Sequence, residues 1–495
     1  VVWSKNDIAK TAVLAYKGFV KNERPLTGKE ADMSHCTWNC VSWQINSIRN
    51  SLGQQPGLPF VDLLTPDMLR EVAGQAAESS EPIYTPLVTL WMFLGQVVDP
   101  DHSCRQAVAR LLVWLTLQGQ PACCAETGAY CKARVRLSEV HLHGLVRATG
   151  AELHGKAPAA WLWKGRRVKI ADGTTAIMPD TEANQAEYPQ PDGQKPGLGF
   201  PMIRLVVLFC LATGAVLDAA VAAYSGKGTG ELSLLRSIWN QLQKGEVLLA
   251  DRLYCSWFEM ALLKQRGVDV VLHRHQSRRT DFRTGQSLGN RDHLVRWPKP
   301  ARPDWMDQKT YASLPAELEL RELEVVIHRT GFRPVKLIII TTLLDARKYI
   351  PTDLAEVYWQ RWQAELDLRS VKETMQMGEL RCKTPAMVRK EIWAHFLAYN
   401  LIRGMIAQAS VEHGRMPCQI SFKGALQTLD AFQYVLLTAR NVLETYGRLL
   451  KAIATHRVGD RSGRVEPRAK KRRKKNYAVL TQPRLLAKKR LMKTT

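Results

Sequence analysis

Two short apolar runs that each end on an acid constrain this chain more than any other feature. Val168-Lys-Ile-Ala-Asp172 and Val247-Leu-Leu-Ala-Asp251 are too short for buried helices, so each is expected to be a buried strand closing on an aspartate. A carboxylate at a sheet edge is costly unless it is paired or bound to a cation. Turn caps are the alternative, since Asp172-Gly173 is a favoured turn dipeptide.

The segments around these runs alternate in the same rhythm. After a loop at 188–201 with four prolines and three glycines, two strands are expected over Ile203–Leu211 and Ala215–Ala223, joined at Thr213-Gly214. A helix over 229–243 that Thr229 can cap, the strand ending at Asp251, a helix from Ser256 to Gln265 and a strand over Val268–Leu272 follow. Lys336–Thr342 resumes as a buried strand, and a helix opens at Thr352 and runs to Met377. This succession describes an α/β layer with acids at strand ends.

The flanks differ in character. Residues 1–80 are weakly patterned, whereas 81–160 are helical: Leu87, Leu90, Trp91, Leu94 and Val98 recur at helical spacing, and basic helices carrying Lys132, Arg134 and Arg136 follow. Helix, short turn and basic helix suit either a DNA-reading helix-turn-helix or a plain bundle. Residues 273–335 interrupt the core pattern and read as a β-rich insertion between 161–272 and 336–380. Residues 381–456 are helical and offer a candidate dimer surface, and 457–495 form a basic tail expected to be disordered.

The formal net charge is +24, and 461–495 hold fourteen Lys and Arg against the lone acid Glu466, so +11 remains without the tail. A basic body beside a basic tail points to a polyanionic partner; a solubilising surface is the alternative. The ten cysteines lie in apolar or helical contexts, as reduced intracellular thiols do, and none has paired zinc spacing. The most apolar stretch, Leu205–Leu217, has thirteen residues where a spanning helix needs about twenty, so no membrane span is expected. The first residue is Val and the first Met is Met33, which leaves the natural start open.

The segment Tyr358-x2-Arg361-x3-Glu365-x6-Lys372 places four polar groups on one helix face. At about 100° per residue they share an arc of roughly 60°, spread over about 21 Å of axis. A carboxylate between two cations is an arrangement in which Glu365 ligates an ion while Arg361 and Lys372 hold phosphates. A solvated face of i,i+4 ion pairs is the alternative. With Asp172 and Asp251, Glu365 completes three hard oxygen ligands, a set suited to a pair of Mg2+ ions.

At these residues the chain resembles the bacterial insertion-sequence-four family of DDE transposases, whose signature spacing Tyr358, Arg361, Glu365 and Lys372 match without a gap. Ile170-Ala-Asp-Gly-Thr-Thr175 and Leu248-Leu-Ala-Asp-Arg-Leu-Tyr254 resemble that family's two aspartate regions, and the likeness spans about residues 98–440. The resemblance implies a ribonuclease-H-like core with a β-rich insertion and Asp172, Asp251 and Glu365 as catalytic metal ligands. It also implies Mg2+ (two ions, Mn2+ substituting) and cut-and-paste movement of DNA with terminal inverted repeats, through a hairpin intermediate. A homodimer on paired DNA ends in the bacterial cytoplasm, at the nucleoid, follows from the same likeness.

One position departs from it. Well-known members carry a Trp at the start of the strand before the Glu helix, and here Leu337 stands there, so either Trp297 or Trp305 stacks on a flipped base or the step is managed differently; an ordinary packing role is the alternative for Trp297. Arg252, His273, Arg274, Arg278, Arg279 and Lys195 are further candidate DNA contacts, with a salt bridge to a neighbouring acid as the alternative for Arg252 and solvated charge for the others. His275 and the run Lys470–Lys475 extend the basic surface. A metal-dependent nuclease without strand transfer, or a DNA-binding protein whose chemistry is idle, are the competing functions.

Overall fold

A computed structural model describes residues 63–74, 83–117, 119–327, 335–439, 441–458 and 481–492, with 45, 46 and 49. The expectations for most of 1–80 and for Lys470–Lys475 fall outside the described residues. Helices come first: α1 (Pro66–Ala73), α2 (Pro86–Val98), α3 (Cys104–Leu117), α4 (Gly128–Arg136) and α5 (Glu139–Gly155). The starts of α1 and α2 are set locally. Thr65 and Thr85 cap them with their hydroxyls, and Pro66 and Pro86 fill the first helical position, where no amide hydrogen is needed.

A nine-stranded mixed sheet follows, in the order β3-β2-β1-β4-β5-β9-β8-β7-β6. β1 (Val168–Ile177), β2 (Met202–Cys210) and β3 (Val216–Ala223) are antiparallel neighbours, while β4 (Val247–Ala250) and β5 (Asp269–His273) run parallel to β1. That arrangement is the one expected of a ribonuclease-H-like core. Short helices α6 (Glu182–Glu187), α7 (Glu231–Ser237) and α8 (Trp257–Gln265) connect the strands. The insertion supplies β6 (Gln286–Gly289), β7 (Asp292–Pro298), α9 (Gln308–Ser313) and β8 (Glu317–Ile327), and β9 (Val335–Thr341) joins β8 to β5. Its strands therefore prolong the core sheet instead of forming a sheet apart, because β9 pairs on both edges.

Several boundaries differ from the sequence reading for stated reasons. β1 does not stop at Asp172; it continues to Ile177 because β2 pairs with it throughout, from Lys169 with Cys210 to Ile177 with Met202. The helix expected over 229–243 is α7 followed by a 3-10 turn, Trp239–Gln241. Gly230, not Thr229, is its cap residue, and the Thr229 hydroxyl donates to the Gly226 carbonyl instead. The helix expected from Thr352 to Met377 is three pieces: α10 (Pro351–Gln360), α11 (Trp362–Arg369) after a break at Arg361, and a π turn over Ser370–Thr374.

The core lies on both faces of the sheet. One face packs α2 to α5 and the long helix α12 (Pro385–Glu412) into a single apolar cluster with β1, β2 and β4. The other face carries α7 and α8. α12 is buried by the described residues from Val388 to Ser410 apart from Arg389. The outer helices α13 (Phe422–Thr438) and α14 (Val442–Thr455) expose Val435 and Leu443. Within the tail expected to be disordered, Arg484–Met492 forms α15. Among the described residues no helix is long and apolar enough to cross a membrane.

Candidate active site

Asp172 and Asp251 lie on neighbouring strands where their pairing ends. The β1–β4 ladder covers Val168–Ile170 against Val247–Leu249, so Asp172 lies two residues past the last pair and Asp251 follows β4 directly. Asp172 accepts the Gly173 amide at 3.0 Å, and Asp251 caps a 3-10 turn by accepting the Leu253 amide at 2.8 Å. In each carboxylate the second oxygen takes no hydrogen bond from any described residue. Glu365 comes to the same place from α11, which packs across β1.

These three acids border one open cleft of about 460 Å³, together with Gly173, Arg361, Leu368, Arg369, Lys372 and Glu373. Arg361 bridges to Glu365 at 2.9 Å, the i,i+4 pair foreseen as the alternative to ion binding. Burial pushes the Asp172 carboxyl up to about 6; Arg361 and the Gly173 amide oppose the shift, while the charges of Glu365 and Asp251 add to it. Burial likewise lowers the Lys372 ammonium and raises the Tyr358 phenol to about 12, the latter with Arg361 opposing and Asp251 adding.

Three carboxylates of hard oxygen, one desolvated and short of positive charge, fit a divalent cation by donor type. As they stand, no group of three His, Cys, Asp or Glu among the described residues is gathered tightly enough to hold an ion. Glu365 is turned to Arg361, and completing a shared site means exchanging that partner for the ion.

The cationic candidates fall into two groups. Tyr358 is buried and meets His273 edge to face, with ring centroids 6.3 Å apart. Burial and the neighbouring Arg252 and Arg274 lower the His273 imidazole. Arg252, Arg279 and Lys195 are exposed. Arg274 and Arg278 are half-buried, with the Arg274 guanidinium donating to the Arg278 carbonyl.

Trp297 lies in the interior. It is buried, its indole N–H donates to Glu322 at 2.9 Å, and the Arg278 guanidinium covers its ring at 3.8 Å. Its place on β7 explains this, since the pairing with Leu318 turns it into the layer shared with α8. Trp305 is half exposed, with Arg236 over its ring at 3.9 Å.

The sequence reading missed Arg369 and Glu373, which pair with each other at 2.8 Å on the cleft wall. Their place on the same helical stripe as Glu365 was the available signal. It also missed Gly173, whose backbone forms part of the cleft floor.

Comparison with known proteins follows this geometry. The family model described as "Transposase DDE domain" matches residues 163–401, from before β1 into α12. The chain is 28% identical over 388 residues to the transposase InsG of insertion sequence element IS4 from Escherichia coli K12, covering 76% of this chain and 82% of that protein. A solved piggyBac transposase synaptic complex with hairpin DNA aligns at a TM-score of 0.42 and 9% identity, over 80% of this chain and 84% of the other.

Proposed function

We propose that the chain is an IS4-like DDE transposase, a metal-dependent DNA phosphoryl transferase that cuts and rejoins DNA in the cleft between Asp172, Asp251 and Glu365. The observation that carries this reading is that Asp172, Asp251 and Glu365 border one cleft with Arg361 and Lys372, at the point where β1 and β4 part. In it, Asp172, Asp251 and Glu365 would hold two Mg2+ ions, for which Mn2+ would substitute, and which would supply Lewis acidity for the attacking and leaving oxygens when bound.

The chain's own residues do the positioning. Arg361, once released from Glu365, holds the phosphate undergoing attack, and Lys372 neutralises its neighbour along the strand. Tyr358 props Arg361 from its buried side. Arg252, Arg274, Arg279 and Lys195 follow the backbone further out, where contacts position DNA without reading it. The helices over 83–155 and the basic tail bind element ends. Two ends require two protomers, and a C2 dimer through α13 and α14 is the simplest way to provide them. The reaction takes place at the bacterial nucleoid. A hairpin route needs an aromatic free to receive an extruded base, and Trp297 in its observed position is not free.

Incubation with a duplex bearing the element's own terminal repeat and Mg2+ tests the reading. Cleaved and strand-transferred products are expected, lost in Glu365→Ala while end binding persists. Cleavage without joining would leave a nuclease, and end binding without any metal-dependent cleavage would refute the assignment.

A further inference from the structure

The β1–β4 ladder ends at Ile170 and Leu249, so no backbone pair ties Asp172 to Asp251. Past that point β1 is held by β2 and β4 by β5, and Glu231 is placed to tie the two directly to each other. Glu231 opens α7, on the sheet face opposite the cleft, because residues alternate along β1 and Gly173 points away from Asp172. A Cβ built on Gly173 would lie 2.3 to 2.5 Å from the three carboxyl atoms of Glu231, so the carboxylate is seated against the strand beside Asp172. From the other strand, the Tyr254 hydroxyl donates to Glu231 Oε2 at 3.1 Å. Tyr254 closes the 3-10 turn that Asp251 caps, and its ring is fully buried. One carboxylate thus touches the neighbours of both aspartates.

We propose that Glu231 and Tyr254 form a clasp behind the sheet that fixes the spacing of Asp172 and Asp251, and with it the affinity of the site for its divalent ion. Both are positioning residues: neither borders the cleft. The geometry also explains the glycine at 173, which a dipeptide reading assigns to a turn. Residue 173 lies in mid-strand, and it lacks a side chain because the Glu231 carboxylate fills that space. Residues that orient metal ligands from outside the ligand set typically change metal affinity by roughly 10- to 100-fold.

The proposal rests on the metal reading above, and the test separates the two. Mn2+ binding to the full chain is measured by electron paramagnetic resonance, beside Tm and metal-free DNA binding. Tyr254→Phe and Glu231→Ala should each weaken Mn2+ about tenfold while Tm and DNA binding hold. Glu231→Gln, which still accepts from the Tyr254 hydroxyl, should stay near wild type. Gly173→Ala, whose methyl would displace the Glu231 carboxylate, should weaken Mn2+ about as Glu231→Ala does, and adding Glu231→Ala to it should weaken it no further. Wild-type Mn2+ affinity in both Tyr254→Phe and Glu231→Ala would overturn the clasp, as would losses that only track a falling Tm. An unchanged Asp172→Ala control would overturn the metal reading itself, and the clasp with it.

Discussion

At the amino end of β1 and β4, Lys169 meets Glu246 at 2.6 Å, with both side chains buried. Glu246 also takes His154 Nε2 at 2.8 Å and the Gln243 amide at 2.7 Å, and His154 Nδ1 reaches the Cys210 thiol at 3.2 Å. At the carboxyl end of the same two strands, Asp172 and Asp251 each spend one oxygen on a local amide and leave the other without a donor among the described residues. Both ends bury acids, and the pKa shifts run in opposite directions. Burial acts to raise Glu246, but His154 and Lys169 hold its carboxyl below the ordinary range, whereas burial takes Asp172 to about 6. A closed charge network serves the fold, and a carboxylate left short of cations serves chemistry that brings its own.

Breaking the two ends should therefore have unlike consequences. The largest effect expected is on cleavage: Asp251→Ala should cost roughly 10³-fold or more, the scale lost when one group stabilising transition-state charge is removed, with Tm held. Single-turnover cleavage of an element end measures it. Next, Glu246→Ala should lower stability by about 3–5 kcal/mol in urea denaturation, because it leaves Lys169 buried without its carboxylate. The folded fraction of that variant should still cut DNA.

Asp172→Asn sharpens the contrast further. The folded carboxyl titrates at about 6, above its ordinary 3.8, so its ionised form costs stability. That cost is absent below about pH 4, grows through the interval up to 6 and is complete above it. The metal-free variant should then be more stable than wild type by on the order of 2 kcal/mol at pH 8, equal to it near pH 4, and inactive throughout. Paired melts at the two pH values check the sign. The smallest effect is expected away from both ends: Arg279→Ala should weaken DNA binding a few-fold whatever the sequence, and reduce the salt slope by about 1.

How much of this was legible in the sequence depended on the range of the interaction. The acids after Ala171 and Ala250 stood out because apolar runs of that length signal strands. The Tyr358–Lys372 stripe stood out because helical spacing is local. The continuation of β1 past Asp172 is dictated by β2, some thirty residues away, and local pattern carries no trace of that pairing. The break at Arg361 was likewise hidden, since no Gly or Pro marks it. Trp297, between Arg296 and Pro298, suits either a DNA contact or ordinary packing by local pattern; β8 supplies Glu322 to its indole and buries it. Glu231 is a first-turn acid, a common feature that carries no signal in the sequence; only the approach of its carboxylate to Gly173 and Tyr254 sets it apart.

The claim that the open end holds the ion can be read directly on the polypeptide. Fe2+ in place of Mg2+, with ascorbate and peroxide, releases hydroxyl radicals that cut the chain beside the bound ion. The account predicts backbone cuts close to residues 172, 251 and 365 that excess Mg2+ suppresses. Cuts clustered at Lys169 and Glu246, or no localised cuts from a preparation that still cleaves DNA, would contradict it.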